Sequence, residues 1–254
     1  MPVLETFNRN GLHVIVLNRP GKLNALNRQV WEELTAELRG SCKGDYNGLV
    51  ITGSGRAFSS GDDIVEMYNF KDESEARDFF GKVYSAVETL VSCDRVVAGL
   101  VNGLAYGGGG EILLLLDYTV ALENAVIAYP EARIGLIPPV LLTIGPRVLG
   151  YRKALQLALT GREIQASEAV DLGLIDDTAR SIDEAFEKIA RFARSTPRGA
   201  RPGYMRRMLL RSTLPVLKDA LWELASMTVD PVGKKAMGEV VKGWARRRGK
   251  QLES

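Results

Sequence analysis

The sequence predicts an α/β fold with a layered core, and three observations predict it. Short runs rich in Val, Ile and Leu recur through the first half, amphipathic helical stretches separate them, and beyond about Pro138 the pattern becomes helical. Runs that are apolar at every position suit strands buried on both faces, as in a parallel sheet covered by helices.

In chain order, Leu12–Leu17 (LHVIVL) and residues 48–52 (GLVIT) read as buried strands, closed by Asn18-Arg19-Pro20-Gly21 and by Gly53-Ser54-Gly55. Between them Asn27 is the N-cap of a helix with Val30, Leu34 and Leu38 on one face. A helix over about 74–91 aligns Phe79, Val83, Val87 and Leu90, and strands follow at Val96–Val101 and Tyr118–Leu122. Beyond Pro138 no strand is expected, and helices are predicted at about 150–159, 166–172, 182–194, 202–211, 215–228 and 231–247. Ser195-Thr196-Pro197-Arg198-Gly199 is too short to separate domains widely, so one core runs over 1–195 and a helical region over 196–254.

Composition narrows the classes. At 254 residues, 46% hydrophobic and 25% charged, the chain is ordinary globular protein, which excludes disorder, collagen and coiled coil. The longest apolar run, Ile112-Leu113-Leu114-Leu115-Leu116, stops at Asp117, far short of the roughly 18 residues of a membrane helix, and no membrane partner is expected. The N-terminal Met1-Pro2-Val3-Leu4-Glu5-Thr6 lacks the basic flank and apolar stretch of a signal peptide, so a cytoplasmic location is expected. Cys42 and Cys93, in no Cys-x-x-Cys pair, suit that compartment. With one histidine, the chain offers no Cys/His zinc site of the usual spacing, no metal is expected, and any histidine triad would need His13.

The net charge of +2 hides an asymmetry, because residues 234–254 carry 7 basic and 2 acidic groups. A second basic stretch runs through Arg194, Arg198, Arg201, Arg206, Arg207 and Arg211. Solvated helix faces, a phosphate-bearing ligand or nucleic acid would each fit such clusters.

Three segments carry chemistry. The first is Gly55-Arg56-Ala57-Phe58-Ser59-Ser60-Gly61-Asp62-Asp63-Ile64, directly after a strand. The second, Asn102-Gly103-Leu104-Ala105-Tyr106-Gly107-Gly108-Gly109-Gly110-Glu111-Ile112, joins a strand to an apolar helix. Four consecutive glycines suit a close backbone approach or unusual dihedrals, either to present free N–H groups to an anion or oxyanion, or to make a tight turn with close helix packing. No Gly-Lys-Ser/Thr follows, which excludes a phosphate loop, and consecutive glycines are a poor dinucleotide fingerprint. Glu111, opening an apolar stretch, is a first-turn acid or one facing a cleft. The third segment is Ala128-Tyr129-Pro130-Glu131-Ala132-Arg133-Ile134-Gly135-Leu136-Ile137-Pro138, in which Glu131 alone reads as a surface acid.

Together with Asn18-Arg19-Pro20-Gly21-Lys22-Leu23-Asn24-Ala25-Leu26-Asn27 and Glu168-Ala169-Val170-Asp171-Leu172-Gly173-Leu174-Ile175, these segments resemble the enoyl-CoA hydratase/isomerase family, the crotonase superfamily, over about residues 10–175. The resemblance implies a spiral of ββα units over 1–195, a C-terminal helical region over 196–254 used in trimerisation, and a homotrimer or dimer of trimers. It implies acyl-CoA thioester substrates, with coenzyme A as part of the substrate and no separate cofactor. By position, the backbone N–H groups of Asp62 and Gly108 would form an oxyanion hole, worth roughly 3–4 kcal/mol per donor. Glu111 and Glu131 match the two catalytic glutamates of hydratases, the first activating water for attack at C3 and the second handling the C2 proton. An isomerase would need Glu131 alone, as a shuttle between C2 and C4. CoA would be held around Lys22, Leu23, Ala25, Leu26, Ser60, Asp62, Asp63 and Ile64, with Arg56, Arg246, Arg247 and Arg248 as further cationic candidates. A non-catalytic RNA-binding relative is the alternative from another class, and the absence of an aromatic-stacking motif and the presence of both glutamates argue against it.

The chain departs from the family pattern at several points. Asp62 stands where hydratases usually have alanine, and its side chain is expected to point away or be paired. Pro138-Pro139-Val140-Leu141-Leu142 replaces a glycine-rich turn and should stiffen and reshape the acyl pocket. Asp94-Arg95 replaces a common Lys-Pro, and Trp244 and Arg247 stand where relatives usually have Phe and Lys. Trp31, Trp222 and Trp244 read as packing residues, and Tyr106 and Tyr129 as candidates for the pocket rim.

Overall fold

A hairpin opens the chain: β1 (Leu4–Arg9) turns at Asn10 and Gly11, both at positive φ (53° and 77°), into β2 (Leu12–Leu17). Two such residues let the turn follow the twist of antiparallel strands. The computed structural model describes residues 2–197 and 199–252, with side chains through Trp244. Helix α1 (Arg28–Ser41) begins where Asn27 Oδ1 accepts from Val30 N at 3.0 Å, and buries Val30, Trp31, Leu34 and Leu38.

From there the chain winds in ββα turns. Strands β3 (Gly48–Gly53) and β4 (Ala57–Ser59) lead to α2 (Ile64–Tyr68) and α3 (Glu73–Ser92). Next come β5 (Val96–Val101), β6 (Leu104–Tyr106) and α4 (Gly108–Leu113), then β7 (Tyr118–Leu122), β8 (Val126–Ala128) and α5 (Pro139–Thr143). Each turn gives its first strand to a six-stranded sheet ordered β1-β2-β3-β5-β7-β10 and its second to a four-stranded sheet ordered β4-β6-β8-β9. Parallel registers such as Val14↔Val50, Val50↔Ala98 and Leu100↔Val120 stack the turns into a spiral. The main core fills the spiral and the space under α1 and α3; a second cluster lies across the large sheet, under Phe186 and Ile189.

The remaining elements are α6 (Gly145–Val148), α7 (Tyr151–Thr160), β9 (Ile164–Gln165), α8 (Ala166–Asp171), β10 (Asp177–Ala179), α9 (Ile182–Ser195), α10 (Pro202–Leu210), α11 (Leu214–Val229) and α12 (Pro231–Leu252). Helices therefore stand close to their expected places, but the expectation of no strand beyond Pro138 is corrected by β9 and β10. These have two and three residues, too few for a period, and take their conformation from neighbours, as in Ile127↔Ile164 and Val120↔Asp177.

A second correction concerns the cysteines. Cys42 and Cys93 sit at the C-terminal caps of α1 and α3 and form a disulfide, with Cα atoms 5.3 Å apart and a sequence separation of 51. Their pairing follows from the C-terminal ends of two neighbouring helices meeting, which spacing alone does not reveal. The two cysteines are thus not the separate thiols that suit a reducing compartment. No helix of the described residues is long and apolar enough to cross a membrane.

Candidate active site

Two loops are stitched into one floor. A 3-10 turn at Pro20–Lys22 leads into Leu23 and Asn24, both left-handed (φ 51° and 55°). Asn24, 1% exposed, holds that shape: its Oδ1 accepts from Arg19 N at 2.9 Å and its Nδ2 donates to Ser54 O and Ala57 O at 2.9 and 2.8 Å. Ser60 N then donates to Leu23 O, Leu26 N to Gly61 O and Asp63 N to Leu26 O, at 2.8–3.0 Å. Lys22, Leu23, Ala25, Leu26, Ser60, Asp62, Asp63 and Ile64 are thereby gathered along one seam. Asp63 caps α2 through Val65 N and pairs with Arg19 at 3.0 Å, which ties the seam to the helix.

Because Leu26 uses both neighbours of Asp62, the Asp62 N–H is turned away from that bridge. It approaches the glycine turn. A Cβ placed on Gly108 would lie 3.6 Å from Asp62 N, and one on Gly61 would lie 3.1 Å from Gly108 N. Neither amide has an acceptor among the described residues, so two donors from distant segments converge with nothing to receive them. Buried N–H groups are rarely left so. The rest of the glycine run serves packing: a Cβ on Gly109 would meet Ser59 at 2.7 Å, and one on Gly110 would meet Tyr129 at 3.3 Å.

Carboxyl groups face this pair. Glu111, 5% exposed on α4, places Oε1 2.8 Å from Leu141 N in the first turn of α5. Glu131 begins a 3-10 turn (Glu131–Ile134) and keeps Oε2 buried with no hydrogen-bond partner. Its Oε1 would lie 3.0 Å from a Cβ on Gly107, whose φ of +52° also favours glycine. Burial pushes the Glu111 carboxyl well up, and the Glu131 charge adds to this. Burial also raises Glu131, with Asp62 contributing. Two acids held this way keep a proton available near neutrality, as acid–base work requires.

A model of the enoyl-CoA hydratase/isomerase family matches residues 8–202. The chain belongs to this family. A probable enoyl-CoA hydratase of Rhizobium meliloti is 37% identical over 204 residues, covering 75% of this chain and 76% of that protein. One of Rhodobacter capsulatus is 37% identical over 178 residues, covering 68% and 67%. Among solved structures, an enoyl-CoA hydratase/isomerase from Mycobacterium paratuberculosis superposes with a TM-score of 0.86 at 27% identity, over 94% of this chain and 98% of the other. The enoyl-CoA hydratase of Thermoplasma volcanium gives 0.77 at 30% identity, over 94% and 97%. The ββα spiral is thus the crotonase fold, and membership implies an acyl-CoA thioester substrate.

In this crotonase-fold chain Lys22 and Arg56 are exposed near the seam, whereas Arg246, Arg247 and Arg248 lie outside the residues whose side chains are described. Tyr129 is fully buried beneath the glycine run, its hydroxyl directed at Gly110 O at 3.4 Å. It supports the turn and does not line a rim. The Tyr106 hydroxyl donates to Glu163. His13 is held by Asn8 and Glu37 at 2.9 and 2.8 Å and stacks on Tyr46, with no part in the carboxylate cluster.

Sequence reasoning missed two features of the site and one cavity that shares no lining residue with it. Trp31 is more than packing: its Nε1 donates to Asp62 Oδ1 at 2.8 Å. Asp62 is accordingly paired, but its other oxygen faces Gly108 and does not point away. The cavity, of about 660 Å³, lies where α12 covers α2, lined by Tyr68, Lys234, Lys235 and Lys242 among others. Lys234 Nζ closes one side by donating to Tyr68 O and Phe70 O at 2.6 Å. Only a tertiary contact between elements far apart in sequence creates it.

Proposed function

We propose that the protein is an enoyl-CoA hydratase, adding water reversibly across the 2-trans double bond of an enoyl-CoA thioester. The observation that carries this is the pair Glu111 and Glu131, both buried and both with raised proton affinity, set against the two unpaired amides of Asp62 and Gly108. The amides polarise the thioester oxygen and take up the charge that develops there as C3 is attacked. Glu111 accepts a proton from water as its oxygen bonds to C3, and Glu131 delivers a proton to C2. One proton enters the pair at Glu111 and one leaves it at Glu131, so the pair's total is unchanged and return of the proton from Glu111 to Glu131 resets the site.

The CoA arm would follow the seam from Lys22 to Leu26 and from Ser60 to Ile64 by main-chain contacts, with Lys22 near its phosphates. No cofactor beyond the CoA of the substrate enters this chemistry. Assembly as a trimer, or a dimer of trimers, through residues 196–254 belongs to the same proposal. Of the basic stretch proposed for RNA binding, Arg206 is withdrawn from any such surface, being 7% exposed and turned inward onto Asp117, while Arg198 lies outside the described residues.

One observation favours isomerisation of a 3-enoyl-CoA as a second activity: Glu131 Oε2 is buried and unpartnered, free to carry a proton between C2 and C4. The deciding experiment gives the enzyme crotonyl-CoA and a 3-enoyl-CoA and follows products by mass spectrometry. Hydration yields a product heavier by one water, and Glu111→Gln removes it while leaving any isomerisation. No hydration at any chain length refutes the hydratase.

A further inference from the structure

The acid at position 62 stands on the loop that supplies one of the two oxyanion amides. Trp31 Nε1 fixes its carboxyl plane by donating to Oδ1 at 2.8 Å. The other oxygen, Oδ2, would lie 3.1 Å from a Cβ on Gly108, so it faces the glycine turn beside the Asp62 amide, which would lie 3.6 Å from that same Cβ.

The charges around it decide what this oxygen does. On its own loop and on α2, Asp63 pairs with Arg19 at 3.0 Å, and Glu66 pairs with Arg28 Nε at 3.5 Å and accepts from the Arg28 backbone N–H at 3.0 Å. Across the turn stand Glu111 of α4 and Glu131. Asp62, Glu111 and Glu131 have no salt-bridge partner among the described residues. An ionised Asp62 would therefore oppose two carboxyl groups and any charge on the thioester oxygen. A protonated one removes that opposition and becomes a donor.

We propose that the Asp62 side chain, as a carboxylic acid, is a third hydrogen-bond donor to the thioester oxygen, acting beside the Asp62 and Gly108 amides. It rests on the thioester site of the proposed function and gives that site a pH-dependent component. Burial supports it independently, raising the Asp62 carboxyl from 3.8 to about 7 against the lowering effect of the Trp31 hydrogen bond, with Glu66 and Asp63 also raising it. A carboxyl kept neutral in a dry site to act as a donor is known enzyme chemistry.

The test uses butyryl-CoA labelled with carbon-13 at the thioester carbonyl, a saturated ligand that cannot be hydrated. Its carbonyl stretch is followed by infrared difference spectroscopy in the full-length protein. Wild type should shift the band to lower frequency at about pH 6 and lose part of that shift by about pH 9, with a midpoint near neutrality. Asp62→Asn, which keeps an N–H donor, should hold the shift across the range. Asp62→Ala should lack the pH-dependent part and show kcat/KM about 100-fold below wild type at about pH 6. Trp31→Phe should move the midpoint upward, since the indole favours the ionised form. Thermal melts confirm that each variant is folded, and a merely structural role would leave the midpoint unmoved. A wild-type band insensitive to pH, or an Asp62→Ala band like wild type, overturns the proposal. Butyryl-CoA binding with the expected shift but no hydration of crotonyl-CoA would sink the hydratase alone; no CoA thioester binding would sink both.

Discussion

Glu111 and Leu141 meet across the site: the carboxylate of one short helix accepts the first-turn N–H of another, at 2.8 Å. Helix α5 has no side-chain N-cap of its own, and Pro138 and Pro139 carry no N–H, so its first free donors are those of Val140 and Leu141. Both bear on Glu111. Pro138 and Pro139 thus set the helix start that orients the carboxyl proposed to activate water.

Pro139→Gly should consequently loosen Glu111 more than it loosens the fold. The expected stability loss is about 0.5–1 kcal/mol by urea denaturation, from added freedom in the unfolded chain. The turnover loss should be larger, about tenfold in kcat, because small displacements of a reacting group are costly. A variant with wild-type kcat would show that α5 does not position Glu111.

Gly107 is the second positioning element. Adding a methyl group there forces a residue at φ +52° to carry a Cβ 3.0 Å from Glu131 Oε1. Gly107→Ala should lower stability by about 1–2 kcal/mol and reduce kcat about 100-fold by displacing Glu131. Steady-state kinetics beside a thermal melt separates the two effects. If activity falls only in proportion to the unfolded fraction, the contact with Glu131 is irrelevant to turnover.

How much of this was legible beforehand depended on the length of each signal. The runs 12–17, 96–101 and 118–122 are apolar but for His13 and Thr119 and bounded by turn residues, and they are strands over those same bounds. Strands β4, β6 and β8, three residues each, have no period of their own and are defined by pairing within the small sheet. At the site, the glycine run and both glutamates stand out as motifs. Trp31 does not, because its bond to Asp62 depends on how α1 is rotated against a loop 31 residues away. Arg206 was equally hidden: within a basic stretch only tertiary packing distinguishes the inward-facing residue.

The raised proton affinity of Asp62 makes folding pH-dependent. Its pKa is higher in the folded chain, about 7 against 3.8, so the folded state holds an extra proton between these values. The Asp62 contribution to stability should be greatest below pH 4, fall as pH rises toward neutrality, and level off above it. Asp62→Asn removes this component. Its stability relative to wild type should rise between about pH 4.5 and pH 8, by about 3 kcal/mol at most. Urea midpoints at the two pH values measure the difference, and an unchanged gap would show that Asp62 titrates alike in both states.

Arg206 fastens α10 to the sheet. It is 7% exposed, pairs with Asp117, and donates to the carbonyls of Cys93 and Arg95, the latter at 3.2 Å. Asp117 in turn accepts from Val97 N at 2.8 Å at the start of β5. Arg206→Met keeps the apolar stem but leaves the half-buried Asp117 without its cation and removes the carbonyl contacts, at an expected cost of about 2–3 kcal/mol. Asp117→Asn in the same chain keeps an acceptor for Val97 and removes the stranded charge, so the double variant should be more stable than Arg206→Met alone. Urea denaturation of wild type, both single variants and the double variant completes the cycle. A double variant no more stable than Arg206→Met would mean that lost carbonyl contacts, not the unpaired charge, account for the damage.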